Sequence, residues 1–290
     1  MATAITAVYF TLGNSQAMRG AFIEDLLGFL PPIAFLVATR IRNRASNDAF
    51  PFGYRRSMSV AYMMSTLAII ALGVYLFFES AFKLLGGEHP TIGMVELFDW
   101  QLWQGWLMLA ALFWTGVGTV ILGQLKKPLA AKLHDKTLQA DAEMNRADWM
   151  TAFAAMGGVI GIGAGLWWAD SVAAILISLD ILRDGFKYTK GAVEDLTDGR
   201  PRKHDEAKPH ELIDAVEDEV RQWDWVKRAV VRLREDGHLF AGQVIVVPTS
   251  EEGLIDRVEE ATERVRSIDW KIGDVVVVPV HDIEGCARVA

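Results

Sequence analysis

The sequence predicts an α-helical membrane bundle of about six transmembrane helices, the first one short, followed by a C-terminal cytoplasmic α/β domain of α-β-β-α-β order. Three observations predict it. Nearly uncharged apolar runs of about 20 residues recur before residue 190, the length needed to cross roughly 30 Å of hydrocarbon. The loops between those runs alternate between basic and acidic. Finally, the charge is divided: residues 1–202 carry 17 Lys/Arg against 17 Asp/Glu, whereas residues 203–290 carry 12 against 20, so the whole net charge of −8 lies in the last third.

The expected spans are Met18–Thr39, Met58–Phe82, Leu102–Leu122, Trp149–Trp168 and Ser171–Phe186. The opening segment, Met1–Gly13, covers only ~20 Å at 1.5 Å per residue and reads as the second half of a span. Either it packs as a half-helix or the natural start lies upstream of Met1. Orientation follows from loop charge. "RIRNRASNDAFPFGYRR" holds five Arg and one Asp, "QLKKPLAAKLHDK" holds four Lys, and "GGEHPTIGMVELFDW" between them has three acids and no base. This alternation puts both chain ends inside, in the cytoplasm. Trp100, Trp103, Trp106, Trp167 and Trp168 then fall on the outer side, where indole belts form.

Residues 1–200 form the expected transmembrane domain, 201–208 a linker and 209–290 the cytoplasmic domain. In the last, "HELIDAVEDEVRQW" places apolar residues at 212, 213, 216 and 220, a helical spacing. "VKRAVVRLRED" and "HLFAGQVIVVP" read as strands joined at "EDG", a hairpin signal. "EEGLIDRVEEATERVRSI" returns to helical period, with Leu254, Val258, Ala261 and Val265 on one stripe. "GDVVVVPVHD" is a final strand, apolar on both sides, which predicts a central position. The uncovered face of so small a sheet favours pairing with a second copy.

Composition also excludes. One cysteine, Cys286, allows neither an internal disulfide nor a multi-thiolate metal site within one chain. No basic n-region or cleavage site marks the start as a secretory signal. The acidic balance and the absence of a basic stripe argue against nucleic acid, and no phosphate loop or nucleophile–base pair points to an enzyme.

Ionisable groups inside a span cost about 2.5–3.5 kcal/mol on insertion scales, so they are functional candidates by default. Glu24 and Asp25 lie about mid-depth on the second span, and Asp148 heads the apolar part of the fifth. Asp141, Met144 or Asn145, and Asp148 share a helical face, which extends that helix inward with one wet side. Asp180, on the sixth span, is three residues from Arg183 and is expected to pair with it; Asp170 is expected to cap that span.

With "GNSQAMRGAFIEDLLGF", "FPFGYRR", "ADAEMNRADWM" and "WWADSVAAILISLDIL" at these places, nearly the whole chain resembles the cation diffusion facilitator family. The resemblance implies a homodimer in the lipid bilayer of the inner membrane. It implies export of a divalent transition-metal cation (zinc, iron or manganese class) in exchange for protons, by alternating access. Carried over, the four intramembrane ligand positions fall on Asp25 and Phe29 and on Met144 and Asp148. Two positions depart: Phe29 cannot bind a metal, and the Met144 thioether is soft and neutral. Either Glu24, Asn145 or water completes a weaker site, or the cargo is not zinc, or transport is lost. The last option leaves a non-transporting or metal-sensing membrane scaffold with a degenerate site. Tyr54 stands where members with a loop metal site carry His, which leaves Asp48 alone there. Arg56 and Asp198 fall at positions that imply a charge interlock between the membrane part and the tail.

In the tail, His238 at the hairpin and His281–Asp282 on the last strand form the candidate metal-ligand cluster, with His210 more remote. A divalent ion held there is expected to draw two tails together and regulate transport, as the resemblance implies for a metallochaperone-like domain.

Overall fold

The structure is a computed structural model and describes residues 29–87, 94–97 and 100–283. The opening segment, the first part of the Met18–Thr39 span with Glu24 and Asp25, and Cys286 lie outside the described residues.

Among the described residues five helices precede the tail: α1 (Leu30–Arg42), α2 (Ser57–Leu85), α3 (Gln104–Leu133), α4 (Lys136–Gly163) and α5 (Ala169–Leu196). A short antiparallel hairpin, β1 (Met94–Leu97) with β2 (Trp100–Trp103), interrupts them, with Leu97 opposite Trp100. By sequence this stretch reads as an acidic loop running into the Leu102–Leu122 span. Its "MVEL" and "WQLW" are rich in strand formers, but at four residues each they were too short to stand out beside the apolar run that follows.

Among the described residues, α2 is the one helix both long and apolar enough to cross a membrane by length and composition. It has two distinct faces. Tyr62, Ser65, Thr66, Ala68, Ile69, Leu72 and Leu76 are buried, while Val60, Met64, Leu67, Phe78, Phe82 and Leu85 are exposed at helical spacing. On α3, Trp114 is 83% exposed and Leu125 65%. Large apolar side chains left bare in stripes on a water-soluble protein mark an interaction surface; on helices of this length they suit lipid. α4 and α5 are less apolar because each carries charged residues over part of its length, including Asp148 and Asp180.

Small residues let α2 and α5 approach closely. A Cβ on Gly73 would stand 2.9 Å from Leu182 Cγ, and one on Gly185 would stand 2.8 Å from Ile70 Cγ1. The two glycines therefore face each other's helix at one crossing.

The described residues fall into two compact bodies. One takes in the described residues up to Val37, Ala61–Lys132 and Lys136–Thr189; the other takes in Ala38–Val60, Leu133–Asp135 and the chain from Lys190 onward. The second body holds α6 (Glu211–Arg221), β3 (Val226–Asp236), β4 (Leu239–Pro248), α7 (Leu254–Ser267) and β5 (Ile272–Pro279), in the expected order. β3 and β4 form an antiparallel hairpin with Asp236 opposite Leu239, turning through Gly237 at φ 73°, the left-handed region glycine tolerates. β5 runs parallel to β4. The sheet order is β3-β4-β5, so β4 is central and β5 is an edge, contrary to the expectation from its apolar run. The run misled because Val275 and Val277 face the core while Val276 between them is 39% exposed; β-branching, not two-sided burial, explains it. Leu212, Ile213, Val216 and Val220 of α6 pack with Trp223, Val244, Val246, Ala261 and Val265 into one core.

Candidate functional site

α4 is the helix that carries the candidate ligands, and it begins well before its apolar half. Met144 is 1% exposed and Asn145 is buried too. Asn145 Nδ2 donates to the Asp141 carbonyl at 2.7 Å, which fixes the amide plane and makes Oδ1 its acceptor end. Asp141 Oδ2 meets Lys126 Nζ of α3 at 2.6 Å. Asp148, one turn beyond Met144 and Asn145, is half-buried. One stripe of α4 therefore offers a carboxylate, an amide oxygen and a thioether, with a lysine from α3 towards its N-terminal end. Gly123 of α3 lies against this stripe: a Cβ there would come within 3.5 Å of Asn145 Cβ.

A second set of charges occupies the other side of α4. Arg146 donates to Asp184 Oδ2 at 2.6 Å and to Asp180 Oδ2, both on α5, and lies 3.4 Å from Glu143. Glu143 in turn accepts from Gln139 at 2.9 Å and sits 3.3 Å from Lys127 of α3. Asp180 was expected to pair with Arg183, but its guanidinium partner is Arg146, from another helix. Side chains three apart on one helix can meet, yet nothing in sequence spacing reveals a partner 34 residues away. Lys126, Lys127 and Asp184 were missed for the same reason.

Phe29 is half-buried, and its carbonyl accepts from Ile33 N at 3.1 Å at the start of α1. Its ring supplies no ligand. Glu24 and Asp25, the expected partners of Asp148, are outside the described residues. In the loop after α1, Tyr54 packs at a tilt against Phe50 with ring centres 4.5 Å apart, and its hydroxyl accepts from Asn47 Nδ2 at 2.9 Å. Where a histidine ligand would stand, this chain uses tyrosine to hold a turn, and Asp48 is exposed.

Arg56 and Asp198 do meet. Arg56 donates to Asp198 Oδ1 at 2.8 Å and to the carbonyls of Asp195 and Leu196 at 3.2 and 3.3 Å, at the end of α5. Arg234 of β3 takes the other Asp198 oxygen at 3.1 Å. Asp198 holds φ 61°, a left-handed conformation that Asp tolerates better than most residues.

The tail histidines are placed differently from one another. His238 follows the hairpin glycine and lies 3.7 Å from Asp135, a residue only 2% exposed at the turn between α3 and α4. Burial pushes the His238 imidazole down, with Asp135 opposing. His134 stands 3.6 Å from Glu235 and edge-on to His210, 4.8 Å between ring centres. His210 caps α6 by accepting from Leu212 N at 3.2 Å, and burial, then the His134 neighbour, lower its pKa to about 4. His281 and Asp282 are exposed just beyond β5. Pro279 pairs with Val246 and Ile272 with Phe240, so they lie at the opposite end of the sheet from His238, roughly 30 Å away at about 3.3 Å per residue. One chain does not bring the three together. Among the described residues, no three His, Cys, Asp or Glu side chains converge on a point that could hold a metal ion.

The family described as the cation efflux transmembrane domain matches residues 1–197. Among curated relatives, the manganese efflux system protein MneS of Bacillus subtilis (strain 168) is 24% identical over 204 residues, 68% of this chain and 64% of that protein. The cadmium, cobalt and zinc/H(+)-K(+) antiporter of the same organism is 23% identical over 221 residues, 73% of this chain and 65% of the antiporter. The cation-efflux pump FieF of Serratia proteamaculans (strain 568) is 24% identical over 242 residues, 80% and 71% of the two chains. The chain thus spans less than two thirds of the length of MneS and of the antiporter.

Proposed function

The chain belongs to the cation efflux family, a family of transporters and not of enzymes, and from that premise we propose that it exports a divalent transition-metal ion in exchange for protons. The manganese and zinc relatives support the cargo class, and the antiporter supports the counter-ion. The observation that carries the reading is the buried polar stripe of α4, with Met144 and Asn145 one turn before Asp148. In a low-dielectric site a carboxylate is held at lower cost when a proton or a metal ion offsets its charge, and the two compete for it. In this reading Asp25 supplies the opposing carboxylate from the second span, and Glu24 or water completes the shell in place of Phe29. A metal ion arriving from the cytoplasm displaces a proton, and release outward lets one return. The helices rock to expose the site to each side in turn, in the inner membrane, with both chain ends cytoplasmic.

Outside the site, Arg56 and Asp198 serve as a charge clamp within the second body, between the loop before α2 and the end of α5, and the exposed edge of β5 serves as part of a homodimer seam. His281 and Asp282 then meet their counterparts from a second copy and supply a tail metal site across that seam, without His238.

The test is metal-driven proton movement by the purified protein in liposomes. Asp25→Ala and Asp148→Ala are each expected to abolish it. Uptake traces unchanged in both variants overturn the assignment. The second reading, a metal-sensing scaffold that does not transport, draws on Phe29 and Met144. It predicts metal binding by the wild-type chain with no proton movement at all.

A further inference from the structure

α4 carries two polar stripes, and only one of them belongs to the proposed cation site. At about 100° per residue, Asp141, Met144, Asn145 and Asp148 centre on one side of the helix. Gln139, Glu143 and Arg146 fall within about 60° of one another on the opposite side. This back stripe is closed by its neighbours: Lys127 of α3 lies 3.3 Å from Glu143, and Asp184 accepts from Arg146 at 2.6 Å with Asp180 beside it on α5. An unbroken run of alternating charge, Lys127–Glu143–Arg146–Asp180/Asp184, therefore ties three helices together behind the front stripe.

We propose that Arg146 is a positioning residue for transport: its pairing with Asp180 and Asp184 sets the rotation of α4 about its own axis, and so the direction in which Asp148 is offered to the ion. The inference rests on the reading of Asp148 as a metal ligand. Three features carry it. Arg146 is two residues from Asp148, so the two side chains leave the helix on different sides and do not compete for one partner. A guanidinium fork shared by two carboxylates is directional, unlike an apolar contact, which a helix slides past at little cost. And Asp180 and Asp184 are one turn apart on α5, so they bracket the guanidinium along the axis as well as around it. A turn of α4 by a single residue position, about 100°, moves Asp148 off its bearing and takes Arg146 out of reach of both aspartates. It follows that α4 and α5 move as one piece in the transport cycle, with the clamp intact.

The full chain reconstituted in liposomes, with Mn²⁺ as the probe, tests this. Arg146→Gln is expected to raise the apparent KM about tenfold while the maximal rate stays within about twofold, the signature of a displaced ligand. Arg146→Lys, which keeps the charge but not the fork, is expected to recover only a small part of the affinity. The reversed pair Arg146→Asp with Asp184→Arg is expected to return KM to within about threefold of wild type. Should Arg146→Gln not fold, Asp184→Asn is read in the same way, because Asp180 and Glu143 still neutralise the guanidinium. A folded Arg146→Gln or Asp184→Asn protein with unchanged KM overturns the proposal, as does one whose only defect is less folded protein. Asp148→Asn in the same assay separates the two readings. Normal Mn²⁺ uptake by that variant removes the cation-site assignment. Lost uptake there, alongside unchanged KM in the clamp variants, removes the clamp alone.

Discussion

Arg56 and Asp198 allow a stability prediction to be worked from geometry. The ion pair is short, 2.8 Å, but the two side chains are 41% and 47% exposed. Exposed pairs of this kind contribute about 0.2–1 kcal/mol. Arg56 also reaches the carbonyls of Asp195 and Leu196 in the last turn of α5, where acceptors are satisfied from outside the helix. Against this, Arg56 Nε is buried without a hydrogen-bond partner, an opposing cost of about 1 kcal/mol. Arg56→Ala is therefore expected to destabilise this body by only about 1 kcal/mol, because these effects partly cancel. Asp198→Ala loses the pairs to both Arg56 and Arg234 and leaves a poorer left-handed residue at φ 61°, so it is expected to cost more, about 1.5–2 kcal/mol. In a double-mutant cycle the two substitutions are expected to couple by about 0.5 kcal/mol. At 1 M salt, where the Debye length is about 3 Å, that coupling is expected to vanish. Hydrogen exchange of β3 and β4 in the purified protein, at low and high salt, measures both quantities. Strict additivity at low salt, or a coupling above about 2 kcal/mol that salt does not touch, refutes the reasoning: the first denies the contact, the second denies its exposure.

Three further outcomes are expected. His210 has its pKa held near 4 in the folded state against 6.5 in a free chain, so the unfolded state binds the extra proton between those values. Its contribution to stability is complete above the unfolded value and is lost as pH falls towards 4; protonation also turns the capping Nδ1 into a donor. His210→Asn keeps an N-cap acceptor and is expected to flatten that part of the melting-temperature profile between pH 6.5 and 4, while an unaltered slope counts against it. Gly185→Ala gains up to about 1 kcal/mol of helix propensity but drives a methyl to 2.8 Å from Ile70 Cγ1, so a net loss of about 1 kcal/mol is expected in detergent melts. A rise in melting temperature contradicts the close crossing. Met144→His replaces a soft, weak ligand position with an imidazole and is expected to raise zinc affinity at least about tenfold over manganese; equal change for both ions in titration calorimetry dissociates Met144 from the cargo.

Much of the tail was legible because its signals are local. The α6 stripe at 212, 213, 216 and 220 is buried as its spacing requires, and "EDG" makes the hairpin turn. The position of β5 was not legible, since a run of valines reports branching and half-burial alike, and only the sheet's pairing tells an edge from a centre. On α4 the sequence pointed to the polar stripe leading to Asp148, because periodicity reveals which residues share a face. It did not reveal that Arg146 reaches Asp180 and Asp184, nor that Lys126 and Lys127 meet Asp141 and Glu143, because partners on other helices leave no trace in spacing. The tail histidines make the same point. His238 is expected beside His281 on sequence alone, yet its neighbour is Asp135, which no spacing connects to it.

The reciprocal glycines of α2 and α5 have a consequence for gradient keeping. With Ile70, Ile181 and Leu182 filling the space where two methyl groups would sit, these helices leave no room for a water molecule at the two glycines. A chain of waters is what a stray hydrogen ion needs to hop across a bilayer, and the contact at these glycines cannot host one. Under the exchange proposed above, protons must not slip by unaccompanied, and the absence of two side chains at Gly73 and Gly185 keeps this one crossing dry.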